Sequence, residues 1–210
     1  VLAFNRAVVY EIRDRIRKLF RALGYGSYAN RLDVSTFHSF ALRHQQTTDI
    51  YQEDAIGQAV HTFTENMESD EEFARTIGSR YKAVLVDEFQ DMNEDFYGVV
   101  KVLLKHCGGG MVIGDDDQDI LTWNRRKWAK KYSRKCPLDA VHYFSDFRKS
   151  LDLGVYELTL NYRSVPEVVQ RVNRMIQTVA DKVGFPRMKS GAELSAFRTD
   201  HGSVERFTPA

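Results

Sequence analysis

Cysteine is nearly absent from this 210-residue sequence: Cys107 and Cys136 are the full complement. Two thiols suggest neither a disulfide framework nor a four-ligand zinc site. They read as reduced thiols of a cytosol-like compartment. Long apolar runs are missing too. None approaches the ~20 residues that a membrane-spanning helix needs, so no membrane partner is expected. No signal-peptide pattern opens the chain, which starts inside what reads as a strand. Excess charge is the third absence, with 30 Lys and Arg against 29 Asp and Glu and a net charge of +1. Nothing in that balance demands a nucleic-acid partner, and any basic surface must be local. Internal repeats and low-complexity stretches are also lacking. What is present, at 43% hydrophobic residues, suffices for one core or a core with appendages.

The chain is organised around residues 82–91, Lys-Ala-Val-Leu-Val-Asp-Glu-Phe-Gln-Asp. The run from Ala83 to Val86 lacks alternation, which suits a strand covered on both faces in a parallel sheet. It stops at Asp87 and Glu88, and in open α/β sheets ligands bind beyond the carboxyl ends of the strands. A carboxylate there can hold Mg²⁺ with waters and substrate phosphates, and its neighbour can orient or deprotonate a water. An Asp-Glu pair can equally start a helix, where acids favour the positive end of the dipole. A second run, Gly110 to Gly114, ends in Asp115, Asp116, Asp117 and Gln118. Alone, that tip reads as a solvated turn or a metal site. Between the tips, Phe96, Val99, Val100, Leu103 and Leu104 fall at helical spacing within residues 93–106. Strand, helix, strand makes a right-handed crossover, which puts both acidic tips on one edge of the sheet.

Other segments surround this pair. Asn5 is placed to cap a helix whose stripe is Val9, Ile12, Ile16, Leu19 and Leu23, closed by Gly24. Residues 32–34 read as a strand, with Ser35 or Thr36 capping a helix that begins near Phe37. A helix start of this kind can bind phosphate, although His38 alone is more often a packing or capping residue. Residues 47–80 have a helical, acid-rich pattern. Residues 123–135 interleave Trp123, Trp128 and Tyr132 with basic side chains that include Arg125 and Arg126. Single-strand binding uses this composition, cations following the phosphates and rings stacking bases at ~1–3 kcal/mol each. The other reading is an amphipathic helix with its aromatics in the core. Residues 156–160 alternate as a strand, and Ser164 with Pro166 opens a further helix. The tail holds one strand-like piece, Ser203 to Phe207.

Asp87-Glu88-Phe89-Gln90-Asp91 resembles the Walker B motif of the UvrD/Rep/PcrA group of superfamily 1 DNA helicases. Four further segments are similar to that family in the same order. Ala3 to Ala7 resembles its first single-strand-binding motif, Ser35 to Phe40 its second, Gly114 to Ile120 its motif III and Leu160 to Ser164 its motif IV. One pentapeptide is weak evidence; five in order across most of the chain are specific.

The resemblance implies a RecA-like (P-loop NTPase type) α/β fold with a parallel sheet and flanking helices. It divides the chain into a first motor domain over 1–46 and 81–155, a short helical insertion over 47–80, and the beginning of a second motor domain over 156–210. It implies ATP and Mg²⁺ as cofactors, and single-stranded DNA with ss/ds junctions as partners, in a bacterial-type cytosol or nucleoid or a eukaryotic nucleus. By resemblance, Asp87 binds Mg²⁺, Glu88 activates water, Gln90 and Gln118 sense the γ-phosphate, and Arg163 is an arginine finger. Asn5, Arg6, Thr36, His38, Trp123, Arg125 and Arg126 are expected along the DNA. The sequence departs from the family at Leu121, where an aromatic is usual, at Asn124, where arginine is usual, and at Asp119, where serine is common.

The phosphate-loop pattern Gly-x-x-x-x-Gly-Lys-Ser/Thr does not occur in the sequence. The resemblance expects it ahead of Val1, with the family's last motifs beyond Ala210, and expects these residues alone to hydrolyse ATP negligibly. Two rivals stand beside the motor. A helicase-like module that has lost catalysis would bind DNA or act as a scaffold, and a metal-dependent nuclease would use the acids of both tips without nucleotide.

Overall fold

The computed structural model describes residues 1–45, 55–137, 140–151, 154–183 and 193–203. The chain divides into two compact units, 1–147 and 148–210. The strand-like piece expected at Ser203 to Phe207 lies, beyond Ser203, outside the described residues.

The first unit is built on a four-stranded, wholly parallel sheet in the order β2-β1-β3-β4. Its strands are β1 (Leu2–Ala3), β2 (Ser35–Thr36), β3 (Val84–Val86) and β4 (Gly110–Val112). Leu2 lies opposite both Ser35 and Val86, and Val84, Leu85 and Val86 face Gly110, Met111 and Val112 in register. From β1 the chain leaves for β2 on one side; from β3 it leaves for β4 on the other. The gap between the carboxyl ends of β1 and β3 is therefore the switch point of the sheet, where α/β folds place their ligands.

Helix α1 (Arg6–Ala22) joins β1 to β2 and packs Val9, with Ile12 and Ile16 at its margin, against Ala3 and Val34. Its expected stripe runs out after Ile16: Leu19 and Leu23 are exposed, because the two-residue strands end before the helix does. The opposite face of the sheet is covered by α2 (Phe37–His44) and α5 (Glu94–His106), with α3 (Ala55–Ser69) and α4 (Glu71–Gly78) packed behind them. There Leu2 and Val84 line one interior gap with Phe40 and Leu103, Phe63 packs edge-on to Phe40, Val86 and Val100 are fully buried, and the Phe37 ring stacks on Phe96 at 4.7 Å. Burying one such side chain contributes roughly 1.5–3 kcal/mol.

The expectation of a strand covered on both faces is corrected. Val84 and Val86 are buried, but Leu85 between them is 38% exposed, as is its neighbour Met111 at 53%. Among the described residues of the first unit, α1 screens β1 and β2 on that side and no helix screens β3 and β4.

After β4 the first unit continues with α6 (Thr122–Tyr132) and α7 (Val141–Leu151), the latter ending across the unit boundary. The described part of the second unit contains β5 (Leu160–Asn161), α8 (Pro166–Val183) and β6 (Ser195–Ala196), with β5 and β6 parallel. Among the described residues no helix is long and apolar enough to cross a membrane.

Candidate functional site

Both acidic tips lie at the carboxyl ends of neighbouring parallel strands. Ladder bonding continues beyond β3 and β4, since Ile113 N donates to Val86 O at 2.8 Å and Phe89 N to Ile113 O at 2.9 Å. Phe89 is buried among Phe144, Phe147 and Tyr97, with ring centroids 5.0–6.2 Å away. With Phe89 anchored inward and Asp87 still on the ladder, Glu88 must turn sharply, and it adopts the left-handed conformation with φ 53° and ψ 48°. For a residue with a Cβ this costs on the order of 1–3 kcal/mol, and strain of this kind gathers at functional sites.

Gln90 joins the two tips. Its Nε2 donates to Glu88 Oε2 at 2.6 Å, and its Oε1 accepts from Asp115 N at 2.9 Å. The side chain is only 2% exposed, so it is not itself presented to a ligand, contrary to the direct γ-phosphate contact expected for it. Gly114 makes room for this bridge: a Cβ there would come within 2.7 Å of Gln90 Oε1 and of the Phe144 ring. At the second tip Asp115 accepts from Asp117 N at 3.2 Å and from Gln118 Nε2 at 2.9 Å, leaving Gln118 exposed at the rim.

Asp87 is partly buried, with Oδ1 accepting from Glu88 N at 3.0 Å. Among the described residues no three His, Cys, Asp or Glu side chains form a ready-made metal cage. Mg²⁺ is commonly bound through one or two carboxylates with waters and substrate phosphates, so a lone Asp87 fits that mode. Asp91 was not singled out from the sequence. Burial first, then the charges of Glu88 and Asp119, raise its carboxyl to about 6 against the pull of Arg125.

The residues expected on DNA fall into two groups. Asn5 Oδ1 caps α1 by accepting from Val8 N at 2.9 Å, and Arg6 beside it is exposed. His38 sits at the start of α2, its ring edge-on to Phe96 at 5.3 Å; burial, and then the nearby Arg6 guanidinium, lower its pKa and favour the neutral imidazole. These three side chains flank the same end of β1 and β2. Thr36 is corrected: it is 5% exposed, and its hydroxyl accepts from Ser39 N at 3.1 Å as the cap of α2. It shapes the turn that carries His38 instead of meeting a ligand.

On α6, Trp123 is 64% exposed, and Arg126, Lys127 and Lys130 face solvent. Trp128 is structural: its Nε1 donates to Asp95 Oδ2 at 2.6 Å and its ring packs on Tyr132. Asp95 is fully buried and also meets His61 Nδ1 at 3.0 Å and Arg134 Nε at 2.9 Å, so α3, α5 and α6 converge on one carboxylate. From the sequence Asp95 reads only as an acid in the first turn of a helix. Arg125 is the clearest correction. It is 2% exposed, ion-paired with Asp119, and donates to Gln90 O at 3.0 Å and Thr122 Oγ1 at 3.1 Å, so it points into the protein and away from any DNA surface.

Arg163 belongs to the second unit. There its N–H donates to Asn161 Oδ1 at 2.9 Å and its carbonyl accepts from Arg198 Nη1 at 3.1 Å.

A parallel sheet with acidic loops at its switch-point edge defines an open α/β domain of the kind that binds ligands there, and the family match that follows makes it RecA-like. Residues 43–129, which carry both acidic tips and Trp123, match the UvrD/REP helicase N-terminal domain family. The chain is 32% identical over 148 residues to the ATP-dependent DNA helicase Rep of Escherichia coli K12, covering 68% of this chain and 20% of that protein. It is 30% identical over 105 residues to DNA helicase II of Haemophilus influenzae, covering 50% of this chain and 13% of the relative. A probable DNA helicase II homolog of Mycoplasma capricolum is 33% identical over 118 residues, 54% of this chain and 14% of its own length. The chain belongs to the UvrD-like superfamily 1 helicases and spans a fifth or less of the length of these relatives.

Proposed function

We propose that the protein is an ATP-dependent DNA helicase or translocase that couples Mg-ATP hydrolysis to movement on single-stranded DNA and to duplex unwinding. The observation that supports this most is the Gln90 bridge, which ties Glu88 of one acidic tip to Asp115 of the next at the carboxyl edge of a parallel sheet. Positioning and charge neutralisation do nearly all the work in phosphoryl transfer, and this is an edge built for positioning.

In this reading Asp87 would hold the Mg²⁺ that accompanies the substrate, and the ion would supply charge neutralisation to the phosphates. Glu88, turned outward by its left-handed backbone, orients a water and takes its proton. Gln90 fixes the Glu88 carboxylate, and Gln118 reads the γ-phosphate from the second tip. Arg163 supplies a finger charge from a second RecA-like domain beginning near residue 156, a contribution of about 10³–10⁵ in rate where such fingers act. Residues 47–80 form the short insertion between the two parts of the first motor domain. Single-stranded DNA, and the single strand at a duplex junction, follows Asn5, Arg6 and His38 to Trp123, where a base stacks, with Arg126 on the phosphates.

ATP hydrolysis by the full-length protein, with and without single-stranded DNA, tests the proposal. Glu88→Gln is expected to lower kcat by ~10²–10⁴ while single-strand affinity is kept. Binding of DNA with no hydrolysis in the unsubstituted protein would instead make it a catalytically degenerate helicase-like binding or scaffold module, a reading that the departures at Leu121 and Asn124 favour.

A further inference from the structure

We propose that Arg125 is a positioning residue that couples the seating of α6, and so the state of Trp123, to the carboxylate of Glu88. The inference rests on the motor reading above. Trp123 and Arg125 stand two residues apart on one helix and point opposite ways, the indole outward and the guanidinium inward. Arg125 donates to the backbone oxygen of Gln90 at 3.0 Å, and the side chain of the same Gln90 donates to Glu88 at 2.6 Å. One residue thus receives α6 on its main chain and holds the water-activating group with its side chain. The path from the exposed indole to the carboxylate runs through a single helix and two hydrogen bonds.

The guanidinium is held from behind. Asp119 pairs with it, and the same Asp119 oxygen accepts from Ala140 N at 2.8 Å, just ahead of α7. Thr122 Oγ1 takes a further Arg125 hydrogen at 3.1 Å. Both charged side chains are almost wholly removed from water. A buried ion pair gains little over an apolar pair of similar volume, because desolvation offsets the attraction. Packing alone therefore does not account for an arginine here, whereas a fixed connection to Gln90 does. Arg125 also pairs with Asp119 and acts with Glu88 and Asp119 on the carboxyl of Asp91, so the arginine and the proposed water-activating group share a charged neighbour.

The test uses the full-length protein and two substitutions, Arg125→Met alone and the apolar pair Asp119→Leu with Arg125→Met, which leaves no buried charge unpaired. Hydrolysis of ATP is measured against the concentration of an oligo-dT strand, and affinity for the same strand by fluorescence anisotropy over a salt series. The expected result is a loss of roughly tenfold or more in DNA-stimulated kcat, with oligo-dT affinity and its salt slope unchanged and the KM for ATP little altered. Stimulation equal to that of the unsubstituted protein in the apolar pair would overturn the inference while leaving the motor intact. A salt slope reduced by about 0.7 in Arg125→Met would also overturn it, by making Arg125 a phosphate contact. Loss of a cooperative unfolding transition in both variants would assign the pair to the fold alone, again against the inference. Absence of stimulated hydrolysis in the unsubstituted protein would refute the motor reading itself.

Discussion

Glu88 carries the proposed chemistry and the least favourable backbone of the site. Only glycine occupies the left-handed region without penalty, so function and stability pull in opposite directions at this position. Glu88→Gly is expected to raise the unfolding free energy by about 1 kcal/mol relative to Glu88→Ala, which keeps the strain, while both abolish hydrolysis. Urea unfolding of the two variants measures the difference, and equal stabilities would remove strain from the account. Asp91, with a folded pKa of about 6 against an ordinary value of 3.8, gives a pH signature. Between those values the folded chain holds a proton that the unfolded chain has released. Stability therefore falls as pH rises through this window, and the penalty is complete above it. Asp91→Asn should stabilise the protein at pH 8 by on the order of 1 kcal/mol once solvent screening is allowed for. That advantage should vanish below about pH 4; an equal gain at every pH would contradict the assignment.

Among the elements, α5 was the most legible from sequence. Its apolar spacing was read from the sequence, and Phe96, Val99, Val100 and Leu103 are buried as that spacing requires; the structure adds the cap, Asn93 Oδ1 accepting from Phe96 N at 2.9 Å. Periodicity is local, so a sequence displays it. The two acidic tips were legible for the same reason, each being an apolar run that ends in acids. Leu85 was not, because whether a strand's second face is covered depends on a helix far away in the chain. Nor was the inward aim of Arg125. Its neighbours in sequence are basic and aromatic, and only partners at Gln90 and Asp119 turn it toward the interior. The seating of α6 also depends on the buried Asp95. Trp128→Phe removes one of the two close partners of Asp95 Oδ2, the other being His61 Nδ1, and is expected to cost ~1–3 kcal/mol. Calorimetric unfolding reads this cost, and an unchanged midpoint would show that His61 and Arg134 suffice.

At the scale of the whole molecule, a net charge of +1 gives no general attraction to a polyanion. Attraction must come from where the cations sit. On α6 the solvent-facing cations include Arg126, Lys127 and Lys130. Replacing all three by alanine should reduce the slope of log affinity against log salt by roughly 2, at ~0.7 per single-strand phosphate. Trp123→Ala should weaken binding by ~1–3 kcal/mol and leave the slope alone. Titrations of a labelled oligonucleotide at several salt concentrations separate the two effects. An unchanged slope in the triple variant would move the phosphate track off this helix.

The amide of Gln90 gives its oxygen to one loop and a hydrogen to the next, so neither loop can drift without dragging the other. Two turns of chain that are independent in sequence thereby act as a single stiff jaw, and a disturbance felt by either is shared by both.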